Sequence, residues 1–260
     1  MAGLVAALQL WQAHAATEAS EYQEVYDLLR EHLTGATAEK LDRAGVNGLV
    51  TGFGAEVRLI RRASSETESD ADRAEAQTNL LRQASLFDEK TLYLRVGRVA
   101  SGLSDAVAKG YRAYAATNQL QGLVLDLRYA QGDDYAAAGQ TADRFVKKAR
   151  ALLDWGAGSA RSSDKTDAIS IPVAVLANRQ TAGAAEALAA VLRDAGSALI
   201  LGTTTAGDAV ATREFPLKNG DRLRIATAPV KVGESLQLTS AGLKPDITVE
   251  VGKAEEKIYY

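Results

Sequence analysis

The sequence predicts an α/β core preceded by a helical segment, and three observations carry that prediction. From residue 91 onward, short apolar runs alternate with helical patterns. Leu123 to Arg128, Ile171 to Ala177 and Ala198 to Leu201 read as strands, and Asp134 to Trp155 and Ala184 to Ala195 read as helices between them. That βαβαβ order implies parallel strands joined by right-handed crossovers. Upstream, residues 18 to 62 follow a helical period instead. Between the two regions, residues 63 to 90 hold an acidic, polar stretch too short for a further sheet domain.

Residues 1–16 open the chain. Gly3 to Trp11 is largely apolar and Ala13-His14-Ala15 fits a small-x-small cleavage pattern, two marks of a signal-peptide remnant, although the usual positive start is missing. The alternative is a short amphipathic helix; the stretch is too short and interrupted for a membrane span. Residues 17–62 form the expected N-terminal helical segment. Tyr22, Val25, Tyr26, Leu28 and Leu29 recur at helical spacing, Gly35 fits a helix stop, and Thr37 followed by Glu39 starts a second helix through Leu41 and Val46. Ala63 to Asp72 reads as an acidic loop and Arg73 to Ser85 as one helix.

Residues 91–260 form the core. Ala137, Phe145, Ala149 and Leu152 mark the apolar side of the helix Asp134 to Trp155, and Gly156 to Ser163 is a Gly/Ser-rich loop. Gly196 ends the helix Ala184 to Ala195. Arg222 to Thr227 and Asp246 to Val251 add strands. Asp126 and Arg128 lie two apart on a strand and share a face, which points to an ion pair or a turn anchor rather than chemistry. Pro245-Asp246 sets a turn and caps the last strand.

Composition removes several function classes. The formal net charge is −3 with Lys and Arg scattered, so there is no basic face for nucleic acid. There is no cysteine and there are two histidines, His14 and His32, which leaves no thiolate nucleophile, no disulfide and no ordinary zinc ligand set. No cofactor and no metal are expected. A hydrophobic fraction of 47% with 24% charged residues is ordinary for a globular protein.

Four segments in order carry a family resemblance: Thr91 to Val96; Leu123-Val124-Leu125-Asp126-Leu127-Arg128-Tyr129-Ala130-Gln131-Gly132; Asn178 to Asp194, followed by Ala198 to Asp208; and Ala241-Gly242-Leu243-Lys244-Pro245-Asp246-Ile247-Thr248-Val249. Together they resemble peptidase family S41, the C-terminal (tail-specific) processing proteases. The resemblance implies the ClpP/crotonase-like superhelical core. It also makes the N-terminal helices, through Tyr22 to Leu29, similar to a preamble that mediates self-association, so a homodimer is expected. The PDZ domain that usually follows that preamble is not expected within residues 63–90. With the signal-peptide-like opening of residues 1–16, a cell-envelope location, periplasmic or secreted, is expected.

The resemblance also exposes departures. In the family the pattern Asn-x-x-Ser-Ala-Ser-Ala-x-Glu places a nucleophilic serine where this chain has Gly183. The lysine that deprotonates it corresponds to Asp208, and a Gln four residues later corresponds to Thr212. A Ser–Lys dyad needs a neutral amine beside the hydroxyl, and neither group is present. Loss of a nucleophile costs on the order of 10⁶ in rate. No lysine lies between Lys165 and Lys218 to replace the base. The oxyanion turn corresponds to Gly132 and Ala184, with Asp133 in place of a second glycine and its charge expected to disfavour an oxyanion. Thr181 is read as a helix N-cap hydroxyl and Glu186 as a first-turn carboxylate favoured by the helix dipole.

Gly183 and Asp208 are expected to face one another across the old cleft, and Gly183→Ser with Asp208→Lys is expected to fold. The leading function is a non-catalytic S41 homologue that binds a polypeptide or partner protein. The alternatives are an active S41 peptidase with an unrecognised catalytic set, and another crotonase-like enzyme.

Overall fold

The computed structural model describes residues 21–53, 56–61, 80–252 and 255. The chain divides into two compact units, Met1–Leu59 and Ile60–Tyr260. In the first, residues 21–32 form helix α1 and Ala38–Gly52 form α2. Gly35 turns the chain between them with φ +79°, and the Thr37 side chain caps α2 by accepting from the Lys40 N–H at 3.2 Å. Tyr26 Oη donates to Asp42 at 2.9 Å and ties the two helices together. Among the described residues of this unit only Leu41 is buried. Tyr22, Val25, Leu28, Leu29, Leu33, Val46, Leu49 and Phe53 are all exposed. The helical pattern expected through residue 62 ends earlier, because Val57–Ile60 is strand β1. Its Val-Arg-Leu-Ile run is too short and too β-branched to extend a helix.

The second unit is built on a six-stranded sheet. Its strands are β2 (Leu81–Phe87), β3 (Thr91–Val96), β4 (Gly122–Asp126), β7 (Val173–Ala177), β8 (Ala198–Gly202) and β13 (Ile247–Thr248), in the order β13-β8-β7-β4-β3-β2. All neighbours are parallel except β2 and β3. In register, Leu92, Leu123, Val173 and Ala198 form one buried row, and Leu94, Leu125, Val175 and Ile200 the next. Helices α3 (Leu103–Ala115), α4 (Tyr135–Asp143) and α5 (Ala184–Asp194) contribute to the same apolar core. Ala184 to Leu192 is buried at every position, and its run of alanines lets α5 lie against neighbours on all sides. Gly196, with φ +67°, ends it as the sequence predicts.

Two helical expectations are overturned. Arg73 to Ser85 is not one helix, because Leu81–Phe87 is the edge strand β2; residues 62–79 lie outside the described residues. Asp134 to Trp155 is not one helix either. α4 closes at Asp143, where the Arg144, Phe145 and Val146 N–H groups bond to carbonyls three residues back. Arg150–Asp154 is then β5, which pairs antiparallel with β6 (Ser159–Ser162) and β11 (Lys231–Val232) in a second sheet completed by β12 (Leu236–Gln237). A register shift between Ala151 and Leu153 lets both Leu152 and Leu153 be buried, which no single helical or strand face would do. The supposed loop Gly156 to Ser163 is therefore the tip and returning strand of a hairpin. β9 (Val210–Pro216) and β10 (Arg222–Pro229) form another antiparallel hairpin. The expected strand Asp246 to Val251 is only the two-residue β13.

Candidate functional site

The site forms where β4, β7 and the start of α5 meet. Asp126, wholly buried at the end of β4, accepts from Tyr93 Oη at 2.5 Å, from the Arg128 backbone N–H at 2.9 Å and from Arg128 Nη2 at 2.6 Å. Arg95 Nε stands 3.9 Å away. This is the structural ion pair that the strand spacing predicts. Burial and the bond to Asp126 push the Tyr93 hydroxyl up. The bond to the carboxylate raises the Arg128 guanidinium further, against the effect of burial.

The chain then turns through Tyr129, at φ +61°, whose N–H donates to Asn178 Oδ1 at 3.2 Å. The same oxygen accepts from the Gln180 N–H at 3.0 Å. Thr181 does not cap α5. Its hydroxyl donates to the Leu127 carbonyl at 2.8 Å and accepts from the Asn178 N–H at 3.0 Å, so it fastens the loop after β7 to the end of β4. Backbone bonds from Ala182 to Ala130 at 3.0 Å and from Ala206 to Thr181 at 3.0 Å join the three loops.

Gly183 is the residue before α5, at φ 61° and ψ −121°. Only glycine adopts that region readily. A Cβ added there would run into the Gly132 carbonyl oxygen. Gly132 is constrained in turn, since its own added Cβ would run into the Val99 carbonyl. The Ala184 N–H donates to the Gly132 carbonyl at 2.7 Å. The two groups that correspond to an oxyanion turn are therefore bonded to each other. The Ala184 N–H thus has its acceptor within the protein, the Gly132 carbonyl.

Glu186, three residues into α5, reaches much further than the helix dipole alone would require. Its buried carboxylate accepts from the Gly183 N–H at 2.9 Å, the Asp208 N–H at 2.8 Å, the Gly207 N–H at 2.7 Å and the Thr205 hydroxyl. Thr205 also takes the Leu243 N–H at 2.8 Å, which attaches the Gly242-Leu243 segment. Four donors compensate the burial of one charge. The sequence signal for this role is the Glu at the third helical position, one half of a capping box; its long-range donors carry no local signal.

The structure brings Gly183 and Asp208 together, since an added Gly183 Cβ would lie 4.0 Å from the Asp208 carbonyl oxygen. The Asp208 side chain is exposed. Thr212 is on β9, opposite Ala226 and half-buried, and takes no part in the bonds around Glu186.

Asp133 does not leave a bare charge beside the turn, as the sequence reading expects. Arg224 Nη1 donates to its Oδ2 at 2.7 Å and Arg98 stands 3.9 Å from Oδ1. Burial alone would push the Asp133 carboxyl up, but the bond and charge of Arg224, helped by Arg98, outweigh it and hold it below the usual carboxylate range. Tyr135, at the start of α4, donates to the Val210 carbonyl at 3.0 Å and stacks beside Trp155. Burial, with the nearby Glu186, Asp133 and Asp208 charges, pushes its hydroxyl up to about 12.

A separate hollow of about 300 Å³ opens at the C-terminal ends of the parallel strands, lined by Arg128, Leu176, Ala177, Leu201, Gly202, Thr203, Val249 and Val251. Gly183, Gly132 and Asp208 are not among its walls. Among the described residues no cluster of His, Asp or Glu could hold a metal ion, and no helix is long and apolar enough to cross a membrane.

Residues 90–249 match the model described as Peptidase family S41. A carboxy-terminal-processing protease from Bartonella bacilliformis is 31% identical over 152 residues, covering 56% of this chain and 35% of the relative. The chain thus spans about a third of the length of the curated relatives it matches. Among solved structures, the photosystem II D1 C-terminal processing protease superposes with a TM-score of 0.54 at 24% identity, covering 62% of this chain and 42% of that one. A lipoprotein from Streptococcus agalactiae superposes with a TM-score of 0.58 at 16% identity, covering 92% and 88%. These likenesses establish the fold.

Proposed function

Since the chain belongs to peptidase family S41, we propose that it is a non-catalytic member that binds a polypeptide without cutting it. The observation that carries this reading is the state of the residue before α5. Gly183 offers no nucleophile, and the Gly132 carbonyl fills the space a side chain there would need. Acyl transfer requires an attacking group, a base and donors aimed at the developing oxyanion. Here the positions that correspond to the first two are Gly183 and Asp208, and the Ala184 N–H is already taken by Gly132.

Binding is favoured by the hollow at the strand ends. Its walls are mainly apolar, with one guanidinium, and about 300 Å³ accommodates one or two side chains of an extended segment. Ligands of open α/β sheets settle at the carboxyl ends of the strands. The partner is therefore an extended polypeptide with apolar side chains, reached in the cell envelope. The N-terminal helices pair two copies through their exposed apolar faces.

Fluorescent peptides ending in small apolar residues test the reading. Saturable binding, with peptide masses unchanged after long incubation, supports it. Saturable binding with shortened peptides would replace it with a peptidase that uses an unrecognised catalytic set.

A further inference from the structure

Charged side chains outside the Glu186 network also fix the turn after β4. Asp133 follows Gly132 directly and accepts from Arg224 at 2.7 Å. Arg224 also turns the other way, with Nη2 2.7 Å and Nε 3.2 Å from Glu214 Oε1. Arg222 takes the second Glu214 oxygen at 2.9 Å. Asp133 belongs to the turn, whereas Glu214, Arg222 and Arg224 belong to the β9–β10 hairpin, which begins two residues after Asp208. One guanidinium therefore joins the two segments that flank Gly183.

The peptide unit between Gly132 and Asp133 is planar and moves as one body. Its carbonyl is the group that takes the Ala184 N–H at 2.7 Å, and its other end carries the Asp133 side chain. Anchoring that side chain biases where the carbonyl points. The ties are only partly buried, with Arg224 23% and Asp133 55% exposed, so water and salt can compete with them.

We propose that Asp133, Arg224 and Glu214 form a latch that holds the Gly132 carbonyl against the N-terminus of α5. Closed, it keeps the Ala184 N–H occupied and the old cleft shut. Released, it lets the 132–133 peptide turn away and leaves that N–H for the backbone carbonyl of an incoming chain. The latch adds a gate to the binding reading above, but its geometry stands whether or not the protein binds a polypeptide, so its test uses no ligand.

Amide hydrogen exchange of the full chain reads the latch at Ala184, a buried position whose N–H reports the closed state directly. In Asp133→Asn and Arg224→Gln, Ala184 should exchange about tenfold faster, the scale of one lost charged hydrogen bond. The denaturation midpoint and the exchange of core strands β4 and β7 should stay near the parent's. Arg222→Gln, which breaks only the bond within the hairpin, should leave Ala184 unchanged. A rise at Ala184 below about threefold in both latch variants, or the same rise in Arg222→Gln, overturns the latch. If neither latch variant folds, the unaltered protein decides by salt. Faster Ala184 exchange at about 1 M than at low salt supports the latch, and a flat response overturns it.

Discussion

Gly183 and Asp208 donate their backbone N–H groups to the same oxygen, Oε2 of Glu186, at 2.9 and 2.8 Å. Twenty-five positions apart in sequence, they are held at one point by one carboxylate. In a catalytic relative the corresponding positions would carry a hydroxyl and an amine. Here they present backbone and an exposed carboxylate, and the bonds that bring them together are structural.

That arrangement makes Glu186 costly to alter. Glu186→Gln keeps the shape but replaces one acceptor oxygen by an amide NH₂ that faces N–H donors. At least one buried donor loses its partner, for a loss of roughly 2–3 kcal/mol in unfolding free energy. Urea denaturation of parent and variant measures it. A loss below about 0.5 kcal/mol would show that water replaces the carboxylate without strain.

Placing a hydroxyl at position 183 will not be neutral. The sequence alone predicts that Gly183→Ser with Asp208→Lys folds. The structure adds a cost at Gly183, whose φ of 61° disfavours any side chain and whose added Cβ would meet the Gly132 carbonyl. Gly183→Ser should destabilise by about 2–4 kcal/mol, whereas Asp208→Lys, at an exposed side chain, should change stability by less than about 0.5 kcal/mol. Thermal or urea unfolding of the two single variants separates these outcomes, and equal effects would contradict the geometry.

Tyr135 supplies a pH signature. Its hydroxyl is pushed up to about 12, above the unfolded value of about 10. A raised folded value means that the folded state holds the proton more tightly. The contribution is fully present below about pH 10 and is lost as pH rises through about 12. Ultraviolet titration should therefore show a late tyrosinate step that Tyr135→Phe removes. An unchanged late step would assign it elsewhere.

The exposed apolar side chains of α1 and α2 predict self-association. Val25, Leu28, Leu29 and Leu49 are 56%, 49%, 41% and 61% exposed, an arrangement that helices of a stable unit cover with a partner. Sedimentation at high micromolar concentration should show a dimer, and deletion of residues 1–34 should give a monomer. A monomer in both cases would contradict the prediction.

The sequence made the sheet legible because β4, β7 and β8 are apolar runs bounded by turns, and α5 because its alanine-rich stretch begins after a glycine and stops at Gly196. It misled at Arg150–Asp154, where Leu152 continues a helical period by coincidence and the deciding partners, β6 and β11, lie elsewhere in the chain. The positions of Gly183 and Asp208 were readable from motif order. The Gly132 carbonyl was not, since the direction of a peptide group leaves no mark in residue types. Thr181 reads as a helix cap because a hydroxyl precedes the helix start in sequence, and it fails as one because that hydroxyl is claimed by Leu127, more than fifty positions earlier.

The most direct test of the central claim is turnover. Homogeneous protein, incubated with casein and with peptides that end in small apolar residues, should release product at the rate of a buffer control, because Gly183 provides no nucleophile. Cleavage above that rate that co-purifies with the protein through successive columns, and that a serine-directed covalent probe abolishes while labelling this chain, would contradict the account.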